Sequence, residues 1–337
     1  MAISKEKFQV RFLELVLFSR TEKPKCKKKN GFGELSDSTC TILFPSSGKI
    51  SAIIIAGGCG VSSAEILTGD LATKEIPNLP KEISYSSMIL HNGKILMCGG
   101  WNNELKCLQF NNANWIQHSM LKKYRLRHSA ATLKSASFVF GGLVSQETYE
   151  YLPKGSNTWL MGKTEIPGGF FDGFAIAVQS KQEIWLIGGT GTENRILCFN
   201  ANDHVFQELP SRLNVERPVY NCAFIPHTNK IMISGGQYSS EILDTVDGSV
   251  TMASPMNFGR QGYGMGVLTI DGEERLAVFG GDDGDRKHDN FELYNTQTEK
   301  WETSNMKLKI PRNDFGFLRV KLSDLISKPL SMKNNFR

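Results

Sequence analysis

The sequence predicts an all-β repeat protein built from six four-stranded units. Three observations predict it. Glycine pairs recur at Gly57-Gly58, Gly99-Gly100, Gly141-Gly142, Gly188-Gly189, Gly235-Gly236 and Gly280-Gly281, with gaps of 42, 42, 47, 47 and 45 residues. Self-similarity at such a period is the mark of a repeat architecture. Each pair closes a short run rich in Ile, Val, Leu and Phe, and a large aromatic follows most pairs at a similar distance.

The runs before the pairs are Ile50–Ala56, Lys94–Cys98, Ala136–Phe140, Glu183–Ile187, Lys230–Ser234 and Arg275–Phe279. Their length and composition suit buried strands better than helices. A second β-rich stretch lies upstream, joined by turns such as Asn92-Gly93 and Asp271-Gly272. Such dipeptides between apolar runs are strong hairpin signals. After each pair comes a polar loop and a third strand, as at Leu105–Phe110, Thr148–Leu152, Arg195–Phe199 and Asn290–Tyr294. A fourth short strand follows, marked by Trp115, Trp159, Phe206 and Trp301. The paired glycines permit positive φ and close backbone approach at a strand end. The aromatics are expected to be buried between adjacent units, since one such unit cannot bury its own faces.

The order β-run, turn, β-run with Gly-Gly, loop, Tyr/Phe strand and Trp resembles the kelch motif. The sixth unit carries it most fully, from Gly259-Arg260 through Gly280-Gly281-Asp282-Asp283-Gly284 and Phe291-Glu292-Leu293-Tyr294-Asn295 to Lys300-Trp301-Glu302. The first and fifth units depart from it, with Ile76 and Val250 or Met252 near the aromatic slot. The resemblance covers roughly residues 38–322 and implies a kelch β-propeller of six blades. Pro311–Val320 reads as the start of a further unit without a glycine pair. Either it completes a blade shared with N-terminal sequence, or it builds a seventh blade with residues 8–18. Closure of either kind removes exposed sheet edges. The domain reading is an N-terminal extension at 1–37, the propeller at 38–322 and a tail at 323–337.

The chain has 337 residues and a net charge of +5. Residues 1–50 hold ten Lys/Arg against five Asp/Glu, and the remaining 29 of each cancel. A basic face for nucleic acid is therefore not expected. The excess concentrates at Lys23–Lys29, read as a solvated loop, with a nuclear-import signal as the alternative. Phe8–Phe18 contains Arg11 and Glu14, which argues against a signal-peptide core, and Ile50–Ala64 is too short for a membrane span. The seven cysteines (Cys26, Cys40, Cys59, Cys98, Cys107, Cys198 and Cys222) show no CxxC spacing. They are read as reduced thiols in a cytoplasmic protein, although a hairpin would bring Cys98 and Cys107 close. Secretion is the alternative if the N-terminus is incomplete.

No catalytic constellation stands out. Residues 282–290 read DDGDRKHDN, but the EF-hand pattern fails and the stretch is read as a loop without a metal. The resemblance to kelch lyases fails at His288, because Gly284 stands four places earlier. No cofactor is expected. The junctions before each first strand carry Arg127-His128, Arg217 with Tyr220, Arg260-Gln261 with Tyr263, and Arg312-Asn313. In kelch domains arginines at this place face the central mouth, and guanidinium forks pair carboxylates. The expected function is thus a non-enzymatic module that binds a protein or peptide, an acidic segment in particular, through the mouth loops. The alternatives are a metal- or radical-dependent propeller enzyme of the oxidase or lyase class, and a cytoskeletal scaffold. Kelch receptors of ubiquitin ligases carry a much longer N-terminal adaptor domain than these 37 residues.

Overall fold

The computed structural model describes residues 51–69, 73–190, 193–216, 220–235 and 238–321. The N-terminal extension, Arg217, Gly236 and the C-terminal tail lie outside them.

Each hairpin signal becomes a strand pair. Blade 1 contains β1 (Ser51–Ala56), β2 (Ala64–Thr68) and β3 (Thr73–Ile76); blade 2 contains β4 (Ser87–His91), β5 (Lys94–Cys98), β6 (Lys106–Phe110) and β7 (Trp115–Met120). Blade 3 is β8 (Ser129–Thr132), β9 (Ala136–Phe140), β10 (Tyr149–Pro153) and β11 (Leu160–Met161). Blade 4 is β12 (Phe174–Val178), β13 (Glu183–Ile187), β14 (Arg195–Asn200) and β15 (Val205–Arg212). Blade 5 is β16 (Tyr220–Phe224), β17 (Lys230–Gly235), β18 (Ser240–Asp244) and β19 (Val250–Ala253). Blade 6 is β20 (Gly264–Ile270), β21 (Glu273–Phe279), β22 (Asn290–Asn295) and β23 (Lys300–Lys307). Asn92-Gly93 and Asp271-Gly272 turn their hairpins with positive φ at both positions, as a type I′ turn requires.

The last strand, β24 (Gly316–Lys321), returns to blade 1, giving the order β24-β1-β2-β3. It pairs antiparallel with β1, Ala56 facing Gly316 and Ala52 facing Val320. The fold is therefore a six-bladed all-β propeller of four-stranded sheets. The seven-blade alternative is corrected: residues 316–321 supply the innermost strand of blade 1. Closure gives the apolar Ile53–Ile55 stretch of β1 a partner on both sides.

Hydrophobic cores lie between blades. Trp159 of blade 3 is fully buried in a cluster with Ile89, Leu96 and Leu121 from blade 2 and its linker. Trp301 of blade 6 packs with Ile225 and Met232 of blade 5. Phe206 of blade 4 lies against Phe140 and Tyr149 of blade 3. Trp115 is buried and donates its indole N–H to Pro77 O at 2.8 Å. An aromatic thus bridges to the preceding blade, because its area exceeds what one thin sheet can cover.

Outside blade 5, the glycine pairs follow the second strand from the axis, where neighbouring groups leave no room for a side chain. A Cβ on Gly141, at φ +64°, would lie 1.7 Å from Phe170 O. The reading of all cysteines as reduced is corrected at one place. Cys98 and Cys107 face each other across β5 and β6 and form a disulfide, because direct cross-strand register brings their Cα atoms to 4.0 Å. Among the described residues no helix is long and apolar enough to cross a membrane.

Candidate functional site at the propeller mouth

The linker entering each blade sets the geometry of the mouth. One linker residue accepts a hydrogen bond from the second glycine of the preceding blade. Ile83 O accepts from Gly58 N at 2.8 Å, Arg125 O from Gly100 N at 2.8 Å, Phe170 O from Gly142 N at 2.9 Å, and Arg312 O from Gly281 N at 2.8 Å. Arg260 holds the corresponding place before blade 6, and Arg217, before blade 5, lies outside the described residues. We call this the anchor position.

The three described arginine anchors are buried and paired within their own blades. Arg125 donates from Nε to Glu150 Oε1 at 3.0 Å and from Nη1 to Gly141 O at 2.6 Å and Thr148 O at 2.9 Å. Arg260 repeats this with Glu292 at 3.2 Å and Gly280 O at 2.7 Å, and Arg312 with Glu65 at 2.9 Å and Gly57 O at 2.9 Å. These guanidinium groups have side-chain exposures of 0–1%. Burial pulls all three arginine pKa values down, and the paired carboxylate opposes it. Burial likewise pushes Glu65 up, against the pull of Arg312. The glutamates also cap the arriving linker: Glu150 accepts from Lys122 N and Lys123 N, and Glu292 from Asn257 N. Glu241 accepts from Asn214 N and Val215 N in the same way.

The glutamate stands two residues after the residue whose carbonyl accepts from the first glycine: Ser63, Thr148, Ser239 and Asn290. In blades 2 and 4 the same register, counted from Lys106 and Arg195, reaches Leu108 and Leu197. Their anchors are Ile83 and Phe170. All four are buried, and Phe170 and Leu197 share one core cluster. An Arg–Glu pair and an apolar pair therefore replace each other as a unit.

This corrects the expected binding role of Arg260 and Arg312. They sit inside the blades, their charges are matched, and they add no positive potential to the mouth. Arg127 is two places beyond the anchor Arg125 and is not their equivalent.

The mouth is lined by that later position. Tyr85, Arg127, Asp172, Gly262 and Asp314 each stand two residues past an anchor, with φ of 55°, 57°, 57°, 59° and 53°. Val219 has the same register and is not described. These left-handed residues hydrogen-bond round the axis: Asp314 N donates to Gly262 O, Tyr85 N to Asp314 O, Arg127 N to Tyr85 O, and Asp172 N to Arg127 O, at 2.7–3.0 Å. The reversal at positive φ aims each N–H at the neighbouring blade. Non-glycine residues held there carry strain, a feature that clusters at ligand sites.

All five line a cavity of about 530 Å³. Phe174 of blade 4 and Phe317 of blade 1, from opposite sides of the ring, stack at 6.3 Å, and the lining continues past them to Thr132, Gln179 and Arg319. The mouth is thus a cup with a polar wall and an aromatic pair below it. Arg127 donates to Asp172 Oδ2 at 2.8 Å and lies 4.6 Å from the Tyr85 ring centroid. Burial opposes its charge, yet the bond and charge of Asp172 outweigh burial and raise its pKa. Burial, then the Asp314 charge, pushes Tyr85 up to about 12. Cys59, after the blade 1 glycine pair, donates its thiol to Tyr85 Oη at 3.7 Å and Asp314 Oδ2 at 3.5 Å. Burial raises both Cys59 and Asp314 above their usual ranges, so the thiol is protonated at neutral pH.

The other expected site residues divide. Gln261 and Asn313 converge at the rim on Asp282, donating at 2.9 Å and 2.5 Å. Tyr263 is buried and donates its hydroxyl to Ser234 O. His128 is buried with neither ring nitrogen bonded, and burial, then the Arg125 charge, pulls its pKa to about 3. Tyr220 opens β16, and Arg217 is not described. The 282–290 stretch is held by its own bonds: Asp283 accepts from Asp285 N and Arg286 N, and Asp282 from Gly284 N.

Sequence reasoning missed Tyr85, Asp172, Asp314 and the glutamate partners. Aligning the units on the anchor rather than on the arginines would have found them. It also missed the apolar rim: Trp101, Leu143, Val144 and Tyr238 are exposed in the loops that follow glycine pairs.

No protein-family model matches this chain, and no curated protein matches it.

Proposed function

We propose that the chain is a kelch-type propeller acting as a non-enzymatic module that binds a protein or peptide at its mouth. One observation carries this reading. A cup walled by Tyr85, Arg127, Asp172 and Asp314 is surrounded by exposed Trp101, Leu143, Val144 and Tyr238. Apolar and aromatic anchors round a polar, partly dehydrated centre are what interface hot spots require. The protonated Cys59 thiol disfavours covalent chemistry at the same place. The kelch assignment rests on the spacing of the glycine pairs and bridging aromatics.

The test is affinity capture from cell extract with the full chain and a Trp101→Ala/Tyr238→Ala variant. Both sites are exposed, so the variant is expected to keep the native melting temperature and to lose most captured partner. Equal capture by both proteins would show that the partner binds elsewhere.

A further inference from the structure

We infer that the mouth takes a lysine or arginine side chain from the bound polypeptide, with Asp314 as its counter-ion. This rests on the mouth-binding reading and sets the sign of the ligand opposite to the one the junction arginines suggested.

Three features of the cup point to a cation. The first is its charge inventory. Arg260 and Arg312 are spent inside the blades on Glu292 and Glu65. Arg127, the cation of the mouth ring, is spent on Asp172. Asp314 forms no ion pair among the described residues, and its side-chain partners, the Cys59 thiol and the Tyr85 hydroxyl, are both neutral. Asp282 adds a second carboxylate at the rim, held by two neutral amides. An incoming carboxylate would meet Asp314, Asp172 and Asp282, and the rim cation Lys287 is already engaged by Cys59 O at 2.5 Å.

The second feature is independent of the acids. Asn221, only 6% exposed, lines the same cavity. Its amide nitrogen is used on Tyr263 O at 2.6 Å, and its Oδ1 has no hydrogen-bond partner. The hydroxyl of Ser86, another lining residue, is also unpartnered. A buried acceptor left open is unfavourable until a donor reaches it. Asn221 Oδ1 is an acceptor alone and the Ser86 hydroxyl can accept, so ammonium and guanidinium groups, having donors alone, can satisfy both.

The third is the aromatic pair. Phe174 and Phe317, with Ala175 and Gly266 on the wall, give an aliphatic stem apolar surface. The same ring faces attract a cation.

The test uses the full chain labelled with 5-fluorotryptophan. Trp101 reports on the mouth because it pairs with Ser84, next to Tyr85, and Trp101→Phe assigns its fluorine signal. The probes are acetyl-Gly-Ser-X-Ser-Gly amides with X as lysine, arginine, norleucine or glutamate. The lysine or arginine probe is expected to move the Trp101 signal and to bind at least tenfold tighter than norleucine at low salt. Asp314→Asn should cut that preference to within about twofold; asparagine tolerates the left-handed conformation, so the ring is kept. Glu302→Gln, on the outer strand, should leave it unchanged. Tighter binding of the glutamate probe would overturn the inference. So would equal binding of all four, or no binding by any at millimolar concentration. In each of those cases the mouth reading still stands if capture depends on Trp101 and Tyr238, and it falls separately if capture does not.

Discussion

Removing Glu150 should cost more stability than removing any exposed charge, and replacing its partner as well should restore part of the loss. Glu150 and Arg125 are both fully buried. Glu150→Leu would leave the Arg125 guanidinium without its counter-ion and two linker N–H groups, of Lys122 and Lys123, without an acceptor. Breaking a buried pair from one side costs about 3–5 kcal/mol. A domain of this size loses roughly 2 °C of melting temperature per kcal/mol, so the melting point should drop by about 6–10 °C. Arg125→Phe alone leaves the buried carboxylate uncompensated and should cost a similar amount. The double variant Arg125→Phe/Glu150→Leu recreates the Phe170 and Leu197 combination of blade 4, with no buried charge left over. Its cost should fall short of the sum of the single changes by at least about 2 kcal/mol. Urea unfolding of the four proteins, followed by tryptophan fluorescence and circular dichroism, measures the cycle. A single change costing under about 1 kcal/mol, or strict additivity, would refute the view that the pair acts as one unit.

Three further outcomes follow from the same geometry. Unfolded histidine titrates near 6.5 but His128 near 3 in the fold, so the folded state binds fewer protons between those values. The His128 contribution to stability should then fall as pH drops below 6.5, by about 2 kcal/mol at pH 5, and His128→Phe should remove that share in denaturant melts at several pH values. The smaller share from His91, His118, His204 and His288, which burial also lowers, should remain. Gly141→Ala places a Cβ 1.7 Å from a carbonyl oxygen, whereas Gly155, at φ +80°, has open space around it. Alanine should cost about 1 kcal/mol at Gly155 and several times that at Gly141, and comparable thermal shifts would count against the close packing of the glycine pair. Truncation after Asn313 deletes β24 and leaves the edge of β1 unpaired, so the shortened chain should aggregate on expression while truncation after Lys321 should not.

Much of the fold was legible because its determinants are local. A glycine pair, an Asn-Gly turn and an alternating apolar run each act over a few residues, and their repetition gives the unit and six copies of it, while leaving a seventh blade open. The bridging aromatics were equally legible, since Trp159 or Trp301 has few places to go in a thin sheet. The site was less so. Arg125, Arg127, Arg260 and Arg312 look alike in sequence, but a two-residue difference in register decides whether an arginine enters the blade or the mouth. Asp314 and Tyr85, 229 positions apart by number (314 − 85), are joined by one backbone hydrogen bond at 2.8 Å.

The sequence by itself determined the repeat, its strands and its closing segment, because propensity, turn chemistry and periodicity are properties of neighbouring residues. Only the tertiary structure decided that β24 joins blade 1, that Cys98 meets Cys107, and that three arginines are neutralised by glutamates. Those outcomes depend on which groups share a dehydrated space, and the cost of leaving a charge or strand edge unpaired there is settled between distant segments.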